Sequence, residues 1–526
     1  MPTRSPFDST NVEQSHFEQL VTEAMDYWKV PGLAIGVVDK AHISSQGYGV
    51  AQFEKVSHAG FREQAEETVT PQTLFDIGSV SKSFTAAAMA LLVDDPGLPD
   101  VEWRTPVSRL LSDFVLEDKA YTEQVSVEDI LSHRSGLPGH DESCFGVSAS
   151  TPDTPISIVR NLQNLPLNKP LRTDYQYCNI LYTAASQLIE HLSHTDFATF
   201  VSSRIWLPLE MYRTFLNITS VPETERANIA QGYQYFAEDP FNFPIASKGN
   251  YDTVQTFNQP EGRGAGSVFS SVEDLSRWLC CLLRQTPPLS PSAHSELIKP
   301  RIMEGDENIP FRSPTFYALG LEVEYYQGFT IIKHGGLVSG NAALILYIPE
   351  QEWGIVILGN SEGAEQVHQE VSAYLVDELL GIPQEQRFDW RHHLTEEWIQ
   401  DRKKQAVSAE ELYPELLDRS RPGNIFSPPL ASLAGMYTNP GYRMINLKYK
   451  QRYLEADCLD RSMGFKLYVT EHAFDYWFVA ELEDAITKER SRMRCQFEIG
   501  EDGISARVGL NICEEMDDLI WFDRVI

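Results

Sequence analysis

The chain has 526 residues, 42% of them hydrophobic, which is enough for two or three domains with sizeable cores. Lysine and arginine number 43 against 75 aspartates and glutamates. The resulting net charge of −32 favours a soluble protein and repels nucleic acid and anionic membranes. No apolar run approaches the roughly 18 residues a membrane helix needs, and the N-terminal stretch MPTRSPFDSTNVEQ has neither an apolar signal region nor an Arg-rich transit pattern. The seven cysteines form no C-x-x-C pair and fit packed thiols of a reducing compartment. A cytoplasmic protein is expected, with no cofactor, no metal, no membrane and no nucleic-acid partner.

In chain order, residues 15–29 make an amphipathic first helix, and Leu33–Val38 and Ser44–Val50 read as antiparallel strands. A mostly helical stretch, 80–310, follows. It contains Ser83–Val93 (SFTAAAMALLV), apolar nearly all round and so expected to be buried, and an amphipathic helix from Ile180 to Leu192. A set of strands returns after residue 316, among them Phe329–Lys333, Ala342–Ile348 and Trp353–Leu358, then a helix over 362–380. Pro383–Asp418 is charged and reads as a solvated linker helix. His392 and His393 within it are adjacent, so on a helix they point apart and make a poor metal pair. From about Leu430 short alternating strands take over: 435–437, 444–449, 465–469, 477–480, 494–499, 505–510 and 519–522. Breaks at Asn439-Pro440-Gly441 and Asp502-Gly503 suggest an antiparallel barrel or sandwich. The expected organisation is a domain over 1–382, a partly helical linker over 383–427 and a β-domain over 428–526.

Three short elements carry chemistry. Ser79-Val80-Ser81-Lys82 places a serine and a lysine at i, i+3 at the start of the buried helix, on one face. Burial of that lysine lowers its pKa toward the range where it accepts a proton, and the first turn offers N–H groups to an oxyanion. Taken alone, S-x-x-K also arises by chance in a chain this long. Tyr177-Cys178-Asn179 precedes the second helix: with its pKa lowered by Lys82 the Tyr177 phenol relays a proton, and Asn179 holds Lys82 or a substrate carbonyl. Cys178, between them, is expected to point away from the cleft. His334-Gly335-Gly336 follows a strand, and its glycines let a substrate approach the backbone or merely make a hairpin turn. The N–H groups of Leu337 and Ser79 would form an oxyanion hole.

The order S-x-x-K, Y-x-N, H-x-G resembles the serine β-lactamase-like superfamily, on the side of class C β-lactamases, family VIII esterases and D-aminopeptidases. Further stretches resemble its recurrent segments: Trp28–Val38 (WKVPGLAIGVV), Phe75–Thr85 (FDIGSVSKSFT), Ile130–Pro138 (ILSHRSGLP), Gly264–Trp278 (GAGSVFSSVEDLSRW) and Tyr317–Leu321 (YALGL). The resemblance covers roughly residues 15–380 and implies an α/β (α+β) fold: an antiparallel sheet flanked by helices, with a helical lobe. The C-terminal strands resemble the lipocalin-like barrel appended to some members, which leans over the cleft or serves oligomerisation. By the same resemblance Ser79 is the acylated nucleophile, Lys82 its base or base-orienting partner, Tyr177 a proton relay and Asn179 a clamp. His334 and Gly335 stand where β-lactamases carry Lys-Thr, the grip on a β-lactam carboxylate, and Lys333 on the opposite strand face does not replace it. A serine hydrolase or acyltransferase is therefore expected, acting on an ester, thioester or amide of a small molecule or short peptide. Acyl transfer or product release in a natural-product pathway is the alternative, and a non-catalytic scaffold of the same fold a third reading. The aromatic run 233–243 (YQYFAEDPFNF) either lines an acyl pocket or packs a loop, and with Phe145 and Tyr325-Tyr326 it suggests a substrate bulkier than acetate.

Overall fold

The computed structural model describes residues 6–7, 12–56, 62–64, 66–239, 244, 248–256, 258–259, 262–414, 429–501 and 504–525. Its centre is a nine-stranded sheet built from the two ends of the first 380 residues. The strands are β1 (Gly32–Asp39), β2 (His42–Gln52), β3 (Glu67–Thr68), β4 (Ile302–Gly305), β5 (Thr315–Tyr317), β6 (Glu322–Tyr326), β7 (Phe329–Val338), β8 (Asn341–Ile348) and β9 (Trp353–Gly359). They lie in the order β4-β5-β6-β7-β8-β9-β1-β2-β3 and pair antiparallel throughout. One edge runs a strand further than the sequence suggests, because β4 falls in the stretch that reads as helical.

β1, β8 and β9 are buried at every position, so the sheet is covered on both faces. Alternation along β1 divides its side chains between two cores. Leu33, Ile35 and Val37 meet α1 (Val12–Trp28) and α5 (Ala364–Leu380), while Ala34 and Val38 join the core of the helical lobe. That lobe supplies α2 (Ser81–Val93), α3 (Asn179–Ser193) and α4 (Val272–Arg284). In α2 every residue from Ser81 to Ala90 is buried, the polar Ser81, Lys82, Ser83 and Thr85 along with the apolar remainder. The helix α6 (Trp390–Gln405) corrects the expectation of a solvated linker: Trp390, Leu394 and Thr395 are buried, and Trp390 and Leu394 join the α1/α5 core.

The C-terminal region is a closed antiparallel barrel of eight strands. They are β10 (Gly435–Asn439), β11 (Arg443–Lys450), β12 (Tyr453–Cys458), β13 (Phe465–Phe474), β14 (Trp477–Asp484), β15 (Arg490–Ile499), β16 (Ser505–Leu510) and β17 (Ile520–Arg524), with β17 closing onto β10. Seven were legible in the sequence. β12 was not, because the turn joining it to β11 uses Gln451 at φ +50 instead of a glycine or asparagine. Its inward set, Leu454, Ala456 and Cys458, nevertheless alternates.

The barrel docks on the helical lobe. The Phe145 ring is held by two guanidinium groups of the barrel, Arg461 at 3.7 Å and Arg443 at 4.1 Å. Main-chain bonds from Gly146 N to Asp460 O and from Ser462 N to Cys144 O, each 3.0 Å, fix the same segment. Phe145 is therefore a docking residue, not part of an acyl pocket. Tyr233 also packs: it lies in the hairpin Gly232–Ala237/Gly249–Val254, its ring against Phe53 and Tyr251. Tyr326 is buried with its hydroxyl on Asp377, Tyr325 is exposed, and residues 240–243 of the aromatic run lie outside the described residues.

Candidate active site

A 3₁₀ turn, Gly78–Val80, runs straight into α2 and presents Ser79 at the junction. Asp76 shapes it by accepting from Gly78 N at 3.0 Å, and Gly78 adopts φ +48, open to glycine at little cost. β7 passes directly alongside. A Cβ on Gly336 would lie 2.1 Å from Ile77 O and 3.1 Å from Ser79 N, and one on Gly78 would lie 3.1 Å from Leu337 N. Both glycines are thus required by the approach of strand to turn, which brings the N–H groups of Ser79 and Leu337 beside each other.

One helical turn on, Lys82 is fully buried. Its Nζ reaches Ser79 Oγ at 2.9 Å, Asn179 Oδ1 at 2.7 Å and Ala265 O at 2.9 Å. It also lies 4.7 Å from the centre of the Tyr177 ring and 5.3 Å from that of Tyr182. Desolvation lowers its pKa to about 7, against a smaller opposing effect of Asp141. Of its three partners, two are pure acceptors, so a neutral Lys82 spends both N–H groups on Asn179 and Ala265 and turns its lone pair to the Ser79 hydroxyl.

The Tyr177 phenol is not acidified: burial drives its pKa well above the usual value, with the influence of Ser79 only a partial offset. The sequence expectation of a phenol depressed by Lys82 is therefore corrected. Desolvation stabilises the neutral form of both groups, lowering the amine and raising the phenol. Cys178 caps α3 without contributing a side-chain bond, is wholly buried, and has its thiol pushed up by desolvation.

His334 is buried and sits in a polar-aromatic layer: Tyr317 O–H donates to Nε2 at 2.9 Å, while Nδ1–H donates to Gly335 O at 2.5 Å. Desolvation first, then Lys82, brings its pKa down to about 3, so the ring is neutral near pH 7. Lys333 faces away and pairs with Glu324 at 3.1 Å. Gly335 has open space where a Cβ would be.

Several neighbours had no assigned role in the sequence reading. His133, buried, takes the Cys178 N–H on Nδ1 at 3.0 Å and stacks on Tyr177 with ring centres 4.2 Å apart. Tyr317 and Ala265 complete the surroundings of His334 and Lys82. All three fall in segments quoted above, ILSHRSGLP, YALGL and GAGSVFSSVEDLSRW, so a signal existed without a role attached. Asp141, which accepts from Asn179 Nδ2 at 3.1 Å, had none. Among the described residues no cluster of His, Cys, Asp or Glu is arranged to hold a metal, and no helix is long and apolar enough to cross a membrane.

A serine and a buried lysine at a helix start, a tyrosine ring beside the lysine, and a glycine strand against the turn define a chain of the β-lactamase fold. The Beta-lactamase family model matches residues 17–379, and the chain belongs to that family. It is 30% identical to an unguisins hydrolase of Aspergillus campestris over 98% of this chain and 93% of that one. To an unguisins hydrolase of Aspergillus violaceofuscus it is 34% identical, over 84% and 77%. Among solved structures, the octameric penicillin-binding protein homologue from Pyrococcus abyssi superposes with a TM-score of 0.57 at 21% identity, covering 97% of this chain and all of the other (100%). The D-amino acid amidase from Ochrobactrum anthropi SV3 gives 0.53 at 21% identity, over 69% of this chain and 99% of that one. These structural likenesses establish the fold.

Proposed function

We propose that the chain is a serine hydrolase that cleaves an amide or ester of a small molecule or short peptide through an acyl-Ser79 intermediate. The observation that carries this is Lys82, buried, poised near neutrality and 2.9 Å from Ser79 Oγ. Neutral Lys82 takes the Ser79 proton as Oγ bonds to the carbonyl carbon. The oxyanion is received by the N–H groups of Ser79 and Leu337, preorganised by the contact of β7 with the turn. Tyr177, protonated and with its ring beside Lys82, passes a proton to the leaving amine or alcohol while recovering one from the Lys82 side, so that it never carries charge for long. Water then repeats the sequence in reverse, releasing the acid and restoring the serine.

Hydrolysis is favoured over acyl transfer because the two Aspergillus relatives, similar over 98% and 84% of this chain, are named hydrolases. Unguisins are accordingly the first substrates to test, beside activated esters and amides. β-Lactams fit poorly, because His334 is neutral and offers no charge to a carboxylate. Ser79→Ala should reduce turnover on the order of 10³-fold or more, since no other group replaces a covalent nucleophile. Turnover by that variant within tenfold of wild type would refute the assignment.

A further inference from the structure

The amide of Asn179 is nearly symmetric in shape, yet only its oxygen is useful to Lys82. A lysine N–H needs an acceptor, whereas the amide nitrogen would present donors to it. Nothing in α3 itself fixes which end turns inward. Asp141 does: its Oδ2 and Oδ1 lie 3.1 and 3.4 Å from Asn179 Nδ2. A carboxylate accepts and an ammonium donates, so one orientation alone satisfies both neighbours, with Oδ1 on Lys82 at 2.7 Å. We propose that Asp141 is a positioning residue for acylation, locking the Asn179 amide toward Lys82, and that the C-terminal barrel delivers it. The proposal rests on the reading of Lys82 as the base for Ser79.

The barrel's share is visible in how the Asp141 segment is held. His140 immediately before it adopts φ +51 and is gripped from both sides, Nδ1 accepting from Tyr442 O–H of the barrel at 2.6 Å and Nε2–H donating to Pro166 O at 2.9 Å. Burial holds that ring neutral, with a pKa near 4. Downstream come the Phe145 clamp and the main-chain bonds to Asp460 and Ser462. On the other flank the barrel loop between β16 and β17 brings Glu515, whose main-chain oxygen accepts from Asn168 Nδ2 and whose carboxylate would stand 3.4 Å from a Cβ on Gly139.

The charged and titratable groups facing Asp141 are Lys82 from α2, Tyr177 and Cys178 from the segment before α3, Glu142 on its own turn, and Tyr442 and Glu515 from the barrel. Desolvation raises Asp141 to about 6, with the Asn179 bond and Lys82 opposing and Glu515 adding to the rise. Glu142 is pushed to about 8, by desolvation first and Asp141 second, and is largely neutral at pH 7. Near neutrality Asp141 therefore carries the negative charge that faces Lys82, and that charge favours the lysine's protonated form.

The test is the pH dependence of kcat/KM on an activated acetate ester in the full-length chain. Asp141→Asn keeps an acceptor for Asn179 but removes the charge. Its plateau kcat should stay within about threefold of wild type, while the acid limb moves to lower pH by half a unit or more, because Lys82 gives up its proton more readily. Asp141→Ala removes acceptor and charge together and should lower plateau kcat about tenfold or more with KM nearly unchanged. Tyr442→Phe, which keeps the Asp141 carboxylate but loosens the segment that carries it, should lower kcat about fivefold or more. Full plateau kcat in a folded Asp141→Ala, or an unmoved limb in Asp141→Asn, would overturn the role of Asp141, and full kcat in Tyr442→Phe would overturn that of the barrel. If Asp141→Ala does not fold, the Asp141→Asn profile decides. Ser79→Ala run alongside separates the two readings: activity there refutes the acyl-serine reading itself, whereas an inactive Ser79→Ala with an unmoved Asp141→Asn limb refutes only this inference.

Discussion

At the scale of single residues, an amine and a phenol are buried together at the candidate site. Lys82 at about 7 is lowered from its usual value, so its neutral, proton-accepting form grows as pH rises through that value. kcat/KM should climb with pH and level off above about 8, whereas a free lysine would place that rise more than two units higher. A rise centred near 10 would contradict it. Lys82→Ala and Tyr177→Phe should each lower kcat on the order of 10²-fold, yet the double variant should lose much less than the product, since both act on one atom, Ser79 Oγ. Strictly multiplicative losses would show independent roles. His334, neutral at pH 7, leads to a further expectation: neutral esters and amides are processed faster than penicillins and cephalosporins. The reverse order in kcat/KM would contradict the missing carboxylate grip. Ser79, Lys82, Tyr177 and Asn179 were all legible from spacing and resemblance, because those depend on local sequence. The direction of the Tyr177 shift was not, since it follows from desolvation by residues distant in the chain, among them His133 and Tyr317.

At the scale of elements, the contact between β7 and the turn before α2 does the most for the chemistry. Gly336→Ala places a methyl 2.1 Å from Ile77 O, where only a displaced strand can accommodate it. The Leu337 N–H then moves away from Ser79, and the loss should approach that of an oxyanion donor, on the order of 10² in kcat. Unchanged kcat in a folded Gly336→Ala protein would show that the strand has no such role. Gly335→Ala meets nothing within 4 Å and serves as the control. Elements with strong periodicity, such as α2 and the buried runs of β1, β8 and β9, could be read directly. β4 and β12 could not: the first is an edge strand of four residues, and the second follows a turn without turn residues. α6 reads as solvated because its surface is highly charged, yet Trp390 and Leu394 suffice to seat it on α1 and α5.

At the scale of the whole molecule, a nine-stranded sheet, a helical lobe and a barrel pack together. Resemblance gave the first two over residues 15–380, and regular short strands gave the third. What no local pattern encodes is the docking between them, since Phe145 meets Arg461 and Arg443 roughly 300 residues away. Phe145→Ala removes a buried aromatic, worth about 3–5 kcal/mol, along with its two guanidinium contacts. Calorimetry should show the barrel unfolding at lower temperature in that variant. An unshifted melt would contradict the account of the interface. The central claim, acylation of Ser79, is tested most directly by intact-mass analysis of the full chain quenched soon after mixing with an activated acetate ester. The account predicts a mass gain of one acetyl group that maps to the peptide containing Ser79, decays with time and is absent from Ser79→Ala. Steady turnover of the ester with no adduct at any time, or an adduct that persists in Ser79→Ala, would contradict it.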